Sequence, residues 1–563
     1  MVFAERYTKI CKSLGWVPRR HIVRVLDTLN EIRRDYYKSP IIVKLPTGYG
    51  KTAITLTLST LAIDGKTDDW IRVIHVLPMR SIVNDIASNL NSWLKKLGYK
   101  IEVAKQHMGS RMSPFFSKKG AVVTTLDTFV LNLYKAPAIE ISKLVKLGYA
   151  HYELSRANIY SAAVLLDEFH LFVDVGFEKR SNGLYNREIK SLASTLAAVH
   201  ALCKAGVPTI LCTATLPSKI LKLVKYTLRD SKLNDQCIIS YDSPDDIFES
   251  ERKAKILHLQ VIDEKDWIKY IKNPKHKVLL VFNKVSRAVK AYYELRDAGL
   301  KPLLLHGRLL EGEKEKRIKE LDKSNLVVAT QVVEAGIDKS FDVLITDPCP
   351  IDRLVQRIGR IARKKDSKSG EIYIIDVKEE AYSGVYNKEL TEKSIYFVKH
   401  KLDGISIGKL DLEMLMLDGI EGVYNKIVSE SNLRNEIRKR IKVLRDLDEQ
   451  PLLTKTDARR MLERFRGITD SFGLVSVFDS KRVLENVKNI YEFSVGVSEN
   501  RALSILRDER LVVKIINGKP LIKEINPEKI LEEVKEKPLS LILLESGIEG
   551  LATKRIDDEV GLI

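Results

Sequence analysis

Residues 45–52 read Leu-Pro-Thr-Gly-Tyr-Gly-Lys-Thr, at the end of the apolar run Ile41–Leu45 and just before a helical pattern. Glycines let backbone N–H groups wrap phosphates, and a helix N-terminus adds partial positive charge. Thr47, Gly48 and Gly50 would line such a loop. Lys51 would reach the β- and γ-phosphates of ATP, and the Thr52 hydroxyl would ligate Mg²⁺. The general pattern opens on Gly or Ala, and Leu45 stands in that place here.

Carboxylates follow on a second apolar run. Ala163–Leu166 ends in Asp167-Glu168-Phe169-His170. Asp167 would hold Mg²⁺ through water, and Glu168 would polarise the attacking water. His170 would sense the γ-phosphate and signal to a nucleic-acid side. A third element is Gln356-Arg357-Ile358-Gly359-Arg360-Ile361-Ala362-Arg363. On a helix Gln356, Arg360 and Arg363 stand at i, i+4 and i+7 and share one face. Two guanidiniums aimed into a cleft suit the charge that develops on a transferring phosphoryl group. Taken singly, each element has a plain structural reading: a glycine turn, a strand-end cap, a solvated arginine helix. Jointly they describe an ATP site shared by two lobes.

Elements that could position these residues are visible as alternating apolar runs and amphipathic stretches from about residue 20 to 375. Ten runs read as strands: 41–45, 73–77, 121–125, 163–166, 209–213, 277–282, 301–305, 326–330, 341–346 and 371–376. Helical stretches such as 81–96 and 286–298 intervene, which is the pattern of parallel sheets covered by helices on both faces. Ten strands are too many for one sheet, and a polar segment near 229–255 divides them. The expected architecture is α/β: two tandem lobes with parallel sheets, at 1–228 and 229–378, and a mainly helical accessory domain at 379–563. Within that last part Leu511–Ile516 and Leu521–Ile525 flank Asn517-Gly518, a β-hairpin signal.

Composition narrows the partners. The 563 residues carry 94 basic and 75 acidic side chains, a formal charge of +19, which favours a polyanion such as nucleic acid. Basic stretches at Arg434, Arg438, Lys439, Arg440, Lys442 and Arg445, and at Arg459, Arg460, Arg464 and Arg466, are either solvated helix faces or a phosphate-tracking surface. Five scattered cysteines without a CxxC pair argue against disulfides or a zinc site and fit a reducing cytoplasmic setting. No apolar run reaches membrane-spanning length.

With these motifs in this order the chain resembles superfamily 2 DExH-box helicases, whose core is a pair of RecA-like lobes. The resemblance implies nucleic-acid contacts at Pro78 and Arg80, and at Thr125 and Asp127. In the second lobe it implies contacts at Asn283 and Lys284, His306 and Arg308, and Thr330 and Gln331. It implies coupling at Thr213 and Thr215 together with His170, and nucleotide contacts at Gly336 and Asp338. A narrower likeness runs through residues 329–338, Phe341-Asp342, Asp167–His170, Thr213–Pro217 and an expected helical insertion from Glu178 to Val207. These segments are similar to the helicase of type I CRISPR–Cas systems. That likeness implies movement 3′ to 5′ on single-stranded DNA, recruitment by an RNA-guided surveillance complex (Cascade), and degradation of the target.

Many members of that family carry an HD nuclease domain ahead of the phosphate loop. Only 44 residues precede the loop here, so the expectation is the archaeal arrangement with a separate HD nuclease subunit. His21 stands near the place of an adenine-reading glutamine, which leaves base selectivity open. Two other readings remain: a repair or RNA helicase outside CRISPR, and a nucleotide-switched clamp that binds without travelling.

Overall fold

All ten apolar runs become strands in the computed structural model. It describes residues 2–562 apart from 79, 108–115, 117–119, 138–151, 173–177, 181–182, 186, 229–232, 234, 272–275, 335–338, 365–366, 428–429, 450–473, 485–489, 517–518, 535–538 and 558. The first sheet has the order β3-β4-β2-β5-β8-β1-β9, every pair parallel. Its strands are β1 Ile41–Lys44, β2 Arg72–Leu77, β3 Ala104–Gln106, β4 Gly120–Thr125, β5 Ala162–Leu166, β8 Thr209–Thr213 and β9 Ile238–Ser240. A small hairpin, β6 Glu178–Arg180 and β7 Gly183–Tyr185, lies between β5 and β8.

The second sheet has the order β12-β13-β11-β14-β15-β10-β16. It is built from β10 Ile256–Asp263, β11 Val278–Val281, β12 Leu303–Leu305, β13 Leu326–Ala329, β14 Val343–Thr346, β15 Ser369–Asp376 and β16 Ile405–Gly408. Only the β10–β16 pair is antiparallel. Central strands are buried from end to end, as a sheet covered on both faces requires.

In these two sheets four strands escaped the sequence pattern for a shared reason. β3, β9 and β16 are short edge strands, and β10 lies beside an edge with exposed and buried residues alternating. None presents a continuous apolar run. Their pairing carries the first sheet past the expected boundary at 228 and the second past 378. The expected helical insertion at 178–207 is also corrected: the β6–β7 hairpin comes first, and the helix is Arg187–Lys204.

The C-terminal region divides in two. Helices Lys388–Lys401, Lys409–Ile427 and Glu430–Glu449 come first. A five-stranded sheet follows, order β18-β17-β21-β19-β20, from β17 Leu474–Asp479, β18 Ser494–Ser498, β19 Leu511–Ile516, β20 Lys519–Glu524 and β21 Gly550–Thr553. The β19–β20 hairpin is the expected one, and its Asn517-Gly518 turn lies outside the described residues. A short pair, β22 Ile556–Asp557 and β23 Gly561–Leu562, reaches back to the second lobe, where the Leu562 amide donates to the Arg308 carbonyl.

Of the two basic stretches, Arg434 and Arg438 on the Glu430–Glu449 helix stack over Tyr226 of the first lobe. The stretch 459–466 lies outside the described residues. All five cysteines are buried and none is in a disulfide among the described residues. No described helix is long and apolar enough to cross a membrane.

Candidate functional site

In both lobes the motifs follow the C-terminal ends of parallel strands, where open α/β sheets bind ligands. β1 runs into the phosphate loop, which turns through Gly48 (φ +70°) and Gly50 (φ +94°) before the helix Thr52–Ile63 begins. Both glycines occupy the left-handed region that a side chain disfavours. Lys51 is buried, and its ammonium donates to the carbonyls of Leu45 at 3.1 Å and Pro46 at 3.2 Å.

Asp167 and Glu168 follow β5. Glu168 takes a left-handed backbone (φ +53°), a strained state for a non-glycine residue that costs about 1–3 kcal/mol and concentrates at functional sites. The Glu168 amide donates to Asp167 Oδ1 at 2.9 Å. His75 Nε2 lies 3.4 Å from Asp167 Oδ2, and His75 Nδ1 is 2.8 Å from the Thr55 hydroxyl. His75 is fully buried in mid-β2 and was not singled out in the sequence. A lone histidine inside an apolar strand, Arg-Val-Ile-His-Val-Leu, was the signal that could have found it.

The environment drives the two carboxyls apart. Burial alone would raise Asp167, but His75, Lys51 and the Glu168 amide hold it below the usual carboxylate range. Burial and the neighbouring Asp167 charge push Glu168 up, against Lys51, Arg360 and Arg363. Divergent environments for adjacent carboxyls mark division of labour. Burial, with Arg353 and Lys51 nearby, drives His170 well below its ordinary value, so its imidazole is neutral at pH 7. His170 Nδ1 stands 3.6 Å from Glu168 Oε2 and 3.2 Å from Thr213 Oγ1. Thr213 Oγ1 donates to the Thr215 carbonyl at 2.7 Å. The expected coupling residues are therefore in contact, from carboxylate through imidazole to hydroxyl.

The arginine motif needs a correction. Its helix is Ile351–Ile358 and stops before Arg360; Ile361 then bridges to Phe341, and Ala362 is left-handed at φ +48°. Gln356, Arg360 and Arg363 thus do not share one helix face. Gly359 ends the helix against the phosphate loop, with room for a Cβ only 3.5 Å from the Thr47 hydroxyl. The Arg360 guanidinium donates to the carbonyls of Val333 at 3.1 Å and Glu334 at 2.8 Å, which fixes its direction. Both Arg360 and Arg363 are close enough to act on Glu168 across the cleft.

Arg357 is the arginine that faces inward. Completely buried, it donates to Glu334, Thr346, the Asp347 carbonyl, Asn283 and Tyr386.

Expected nucleic-acid residues divide by exposure. Pro78 follows β2 and Arg80 opens the helix Arg80–Lys96. Thr125 ends β4 with its hydroxyl donating to Thr128 at 3.0 Å, and Asp127 lies in the first turn of the next helix. Asn283 is buried: its side chain donates to the Pro348 carbonyl at 2.8 Å, and its own carbonyl accepts from Gln331 at 2.7 Å. Thr330 is buried as well, whereas Lys284 is half-buried at a helix start. His306 is fully buried, its pKa pushed down to about 3 by burial and by Arg317, Arg308 and Lys314. Asn283, His306 and Thr330 shape loops, leaving Lys284 and Arg308 the more accessible cations. Gly336 and Asp338 lie outside the described residues.

Near the N-terminus, His21 is locked inside: its ring is 2.8 Å from the Tyr49 hydroxyl and packs on Tyr241. Tyr49, from the phosphate loop itself, donates to Asp245 at 2.6 Å.

The residues fit a nucleotide with Mg²⁺. Two left-handed glycines put no side chain at positions 48 and 50 of the loop, Thr52 and Asp167 offer oxygen ligands, and the buried Gln356 Nε2 and His170 Nε2 have no hydrogen-bond partner among the described residues. Mg²⁺ when bound would be held by Thr52 and Asp167 and would supply charge neutralisation of the phosphates.

Comparison with known proteins agrees with this geometry. Residues 28–223 match the DEAD/DEAH box helicase family, and residues 274–366 match the C-terminal region of the CRISPR-associated nuclease/helicase Cas3. The CRISPR-associated nuclease/helicase Cas3 of Methanothermobacter thermautotrophicus is 26% identical over 502 residues, 83% of this chain and 54% of that protein. The CRISPR-associated helicase Cas3 of Thermoproteus tenax is 25% identical over 348 residues, 59% of this chain and 55% of that protein. The chain thus spans about half the length of the curated relatives it matches. A crystal structure of T. fusca Cas3 with ATP shares the fold at a TM-score of 0.59 and 15% identity, covering 99% of this chain and 71% of that one. With the phosphate loop, the DExH carboxylates and the arginine loop gathered on two parallel sheets, the chain carries a DEAD/DEAH box helicase domain and a Cas3-like C-terminal region, and is similar to the CRISPR-associated Cas3 helicases.

Proposed function

We propose that the chain is an ATP-driven translocase on single-stranded DNA, moving 3′ to 5′ and unwinding target DNA in type I CRISPR interference. The supporting observation is Glu168, which feels Lys51 from its own lobe and Arg360 and Arg363 from the other. A site completed across a cleft ties hydrolysis to the separation of the lobes. Glu168 orients and deprotonates the attacking water, Lys51 neutralises the phosphates, and Arg360 and Arg363 stabilise charge on the transferring group. His170 and Thr213 carry the state of Glu168 toward the nucleic-acid loops. The strand lies over the strand ends of both lobes and is held mainly through its backbone, so binding is sequence-tolerant and weakens with salt.

On this reading an RNA-guided surveillance complex delivers the DNA, and a separate HD nuclease subunit cuts it. The purified chain should therefore show ATPase stimulated more by single-stranded DNA than by RNA, and displace strands without cutting them. The Lys51→Ala variant should have no ATPase yet retain part of the DNA binding. Wild-type ATPase in that variant would refute the site, and stronger stimulation by RNA would favour a helicase outside CRISPR.

Arg360→Ala should lower kcat far more than it raises KM for ATP, because the guanidinium acts on charge that develops during transfer. Equal losses in steady-state kinetics would count against that role.

A further inference from the structure

Thr47 opens the phosphate loop, and its partners come from distant sequence. Its carbonyl accepts from Arg252 Nη2 at 2.5 Å, and its hydroxyl donates to Glu413 Oε1 at 3.0 Å. Arg252 and Glu413 are themselves ion-paired, and Glu413 is 4% exposed. Glu413 belongs to the helix Lys409–Ile427, which follows the second lobe's last strand.

One turn earlier on that helix, Lys409 is 1% exposed and donates to the Ile361 carbonyl in the arginine loop. Lys255 holds the next carbonyls of the same loop, those of Ala362 at 3.0 Å and Lys364 at 2.6 Å. Further along, both Glu421 carboxylate oxygens accept from Ser218, one from its amide and one from its hydroxyl, each at 2.7 Å. That caps the helix just after the coupling residues Thr213 and Thr215. From Lys409 to Glu421 the helix rises about 18 Å. Gly419 lets it lie close on Ile351 and Phe397, where a Cβ would stand 2.7 Å from each.

We infer that the Lys409–Ile427 helix is a positioning strut for the ATP site, with Glu413 setting the phosphate loop for nucleotide binding and Lys409 setting the arginine loop for turnover. A purely structural role is the competing account. Buried ion pairs, however, return little stability for their desolvation, and these charges end on Thr47 and on backbone carbonyls of the arginine loop, in the two loops that must be held in register. Arg252 and Lys255, from the segment that joins the lobes, grip the same two loops. Glu413, Lys409, Arg252 and Lys255 act through Thr47 and residues 361–364, so they are positioning residues. The inference rests on the ATP-site reading above.

Its test separates binding from turnover. Glu413→Ala should raise both KM for ATP and the Kd of a fluorescent ADP analogue about tenfold, the size of one charge-assisted hydrogen bond, with little change in kcat. Glu413→Gln keeps an oxygen for the Thr47 hydroxyl and should recover most of that affinity. Lys409→Met should lower kcat about tenfold while the Kd of the ADP analogue stays at the wild-type value. Melting curves accompany each variant, and Lys255→Met releases the same loop should Lys409→Met fail to fold. Parallel changes in KM and kcat, no change in either, or the reverse assignment would overturn the inference. Lys51→Ala in the same assay keeps the two readings apart. Wild-type ATPase there defeats the ATP site itself, whereas an inactive Lys51→Ala beside unaffected Glu413 and Lys409 variants defeats only the strut.

Discussion

Replacing Glu168 with Gln should lower DNA-stimulated ATP turnover by about 10²–10⁴-fold, the usual contribution of a positioned general base. The amide keeps the size and the left-handed turn but cannot take a proton. Nucleotide affinity should change little, since Lys51 and the glycine loop remain, and a fluorescent ADP analogue would report this. The pH profile offers a second check. Burial and Asp167 raise the Glu168 pKa, so its base form is lost at a higher pH than an ordinary glutamate's as the solution is acidified. Wild-type kcat should therefore begin to fall above the usual glutamate range near pH 4.3, and that acidic limb should be absent from the residual rate of Glu168→Gln. An unchanged limb would move the titration to another group.

Arg357→Ala should have the largest effect on stability. Its guanidinium is fully buried and shares Glu334 with Tyr386, while reaching Asn283 and Thr346 on neighbouring strand ends. Removing it leaves the Glu334 carboxylate buried with, among the described residues, only Arg353 at 3.9 Å as a paired cation. Breaking one side of such a pair costs about 3–5 kcal/mol. Hydrogen exchange should show the loss concentrated in residues 278–376, with the first lobe protected as before. Arg357→Lys should rescue little, because a point charge cannot reproduce five directed donors. Wild-type exchange in the second lobe of Arg357→Ala would contradict this account.

Much of the fold was readable because its central strands are buried on both faces and therefore uniformly apolar. β2, β5 and β13 announced themselves, while β10 alternates and β3, β9 and β16 are short edges that offer no such run. The phosphate loop and the DExH residues were legible because their chemistry is local: strand, turn and side chain are consecutive. Arg360 was recognised, yet its geometry was not. A helix drawn through Gln356 to Arg363 ignores the break after Ile358, which the Ile361–Phe341 bridge enforces from 20 residues away. His75, Arg252 and Glu413 were missed because their partners are set by tertiary folding. Arg252 and Glu413 meet Thr47 from 205 and 366 residues further on.

That separation of 366 residues has a meaning for synthesis as well. The first sheet, with its phosphate loop, is complete once β9 has emerged, but the loop has no Glu413 to hold Thr47 until the chain has grown past the second lobe. At translation rates of about 5–20 residues per second, the interval from Thr47 to Glu413 lasts roughly 20 to 70 s. A nascent chain carrying a formed first lobe thus presents its phosphate loop before Glu413 exists to hold Thr47.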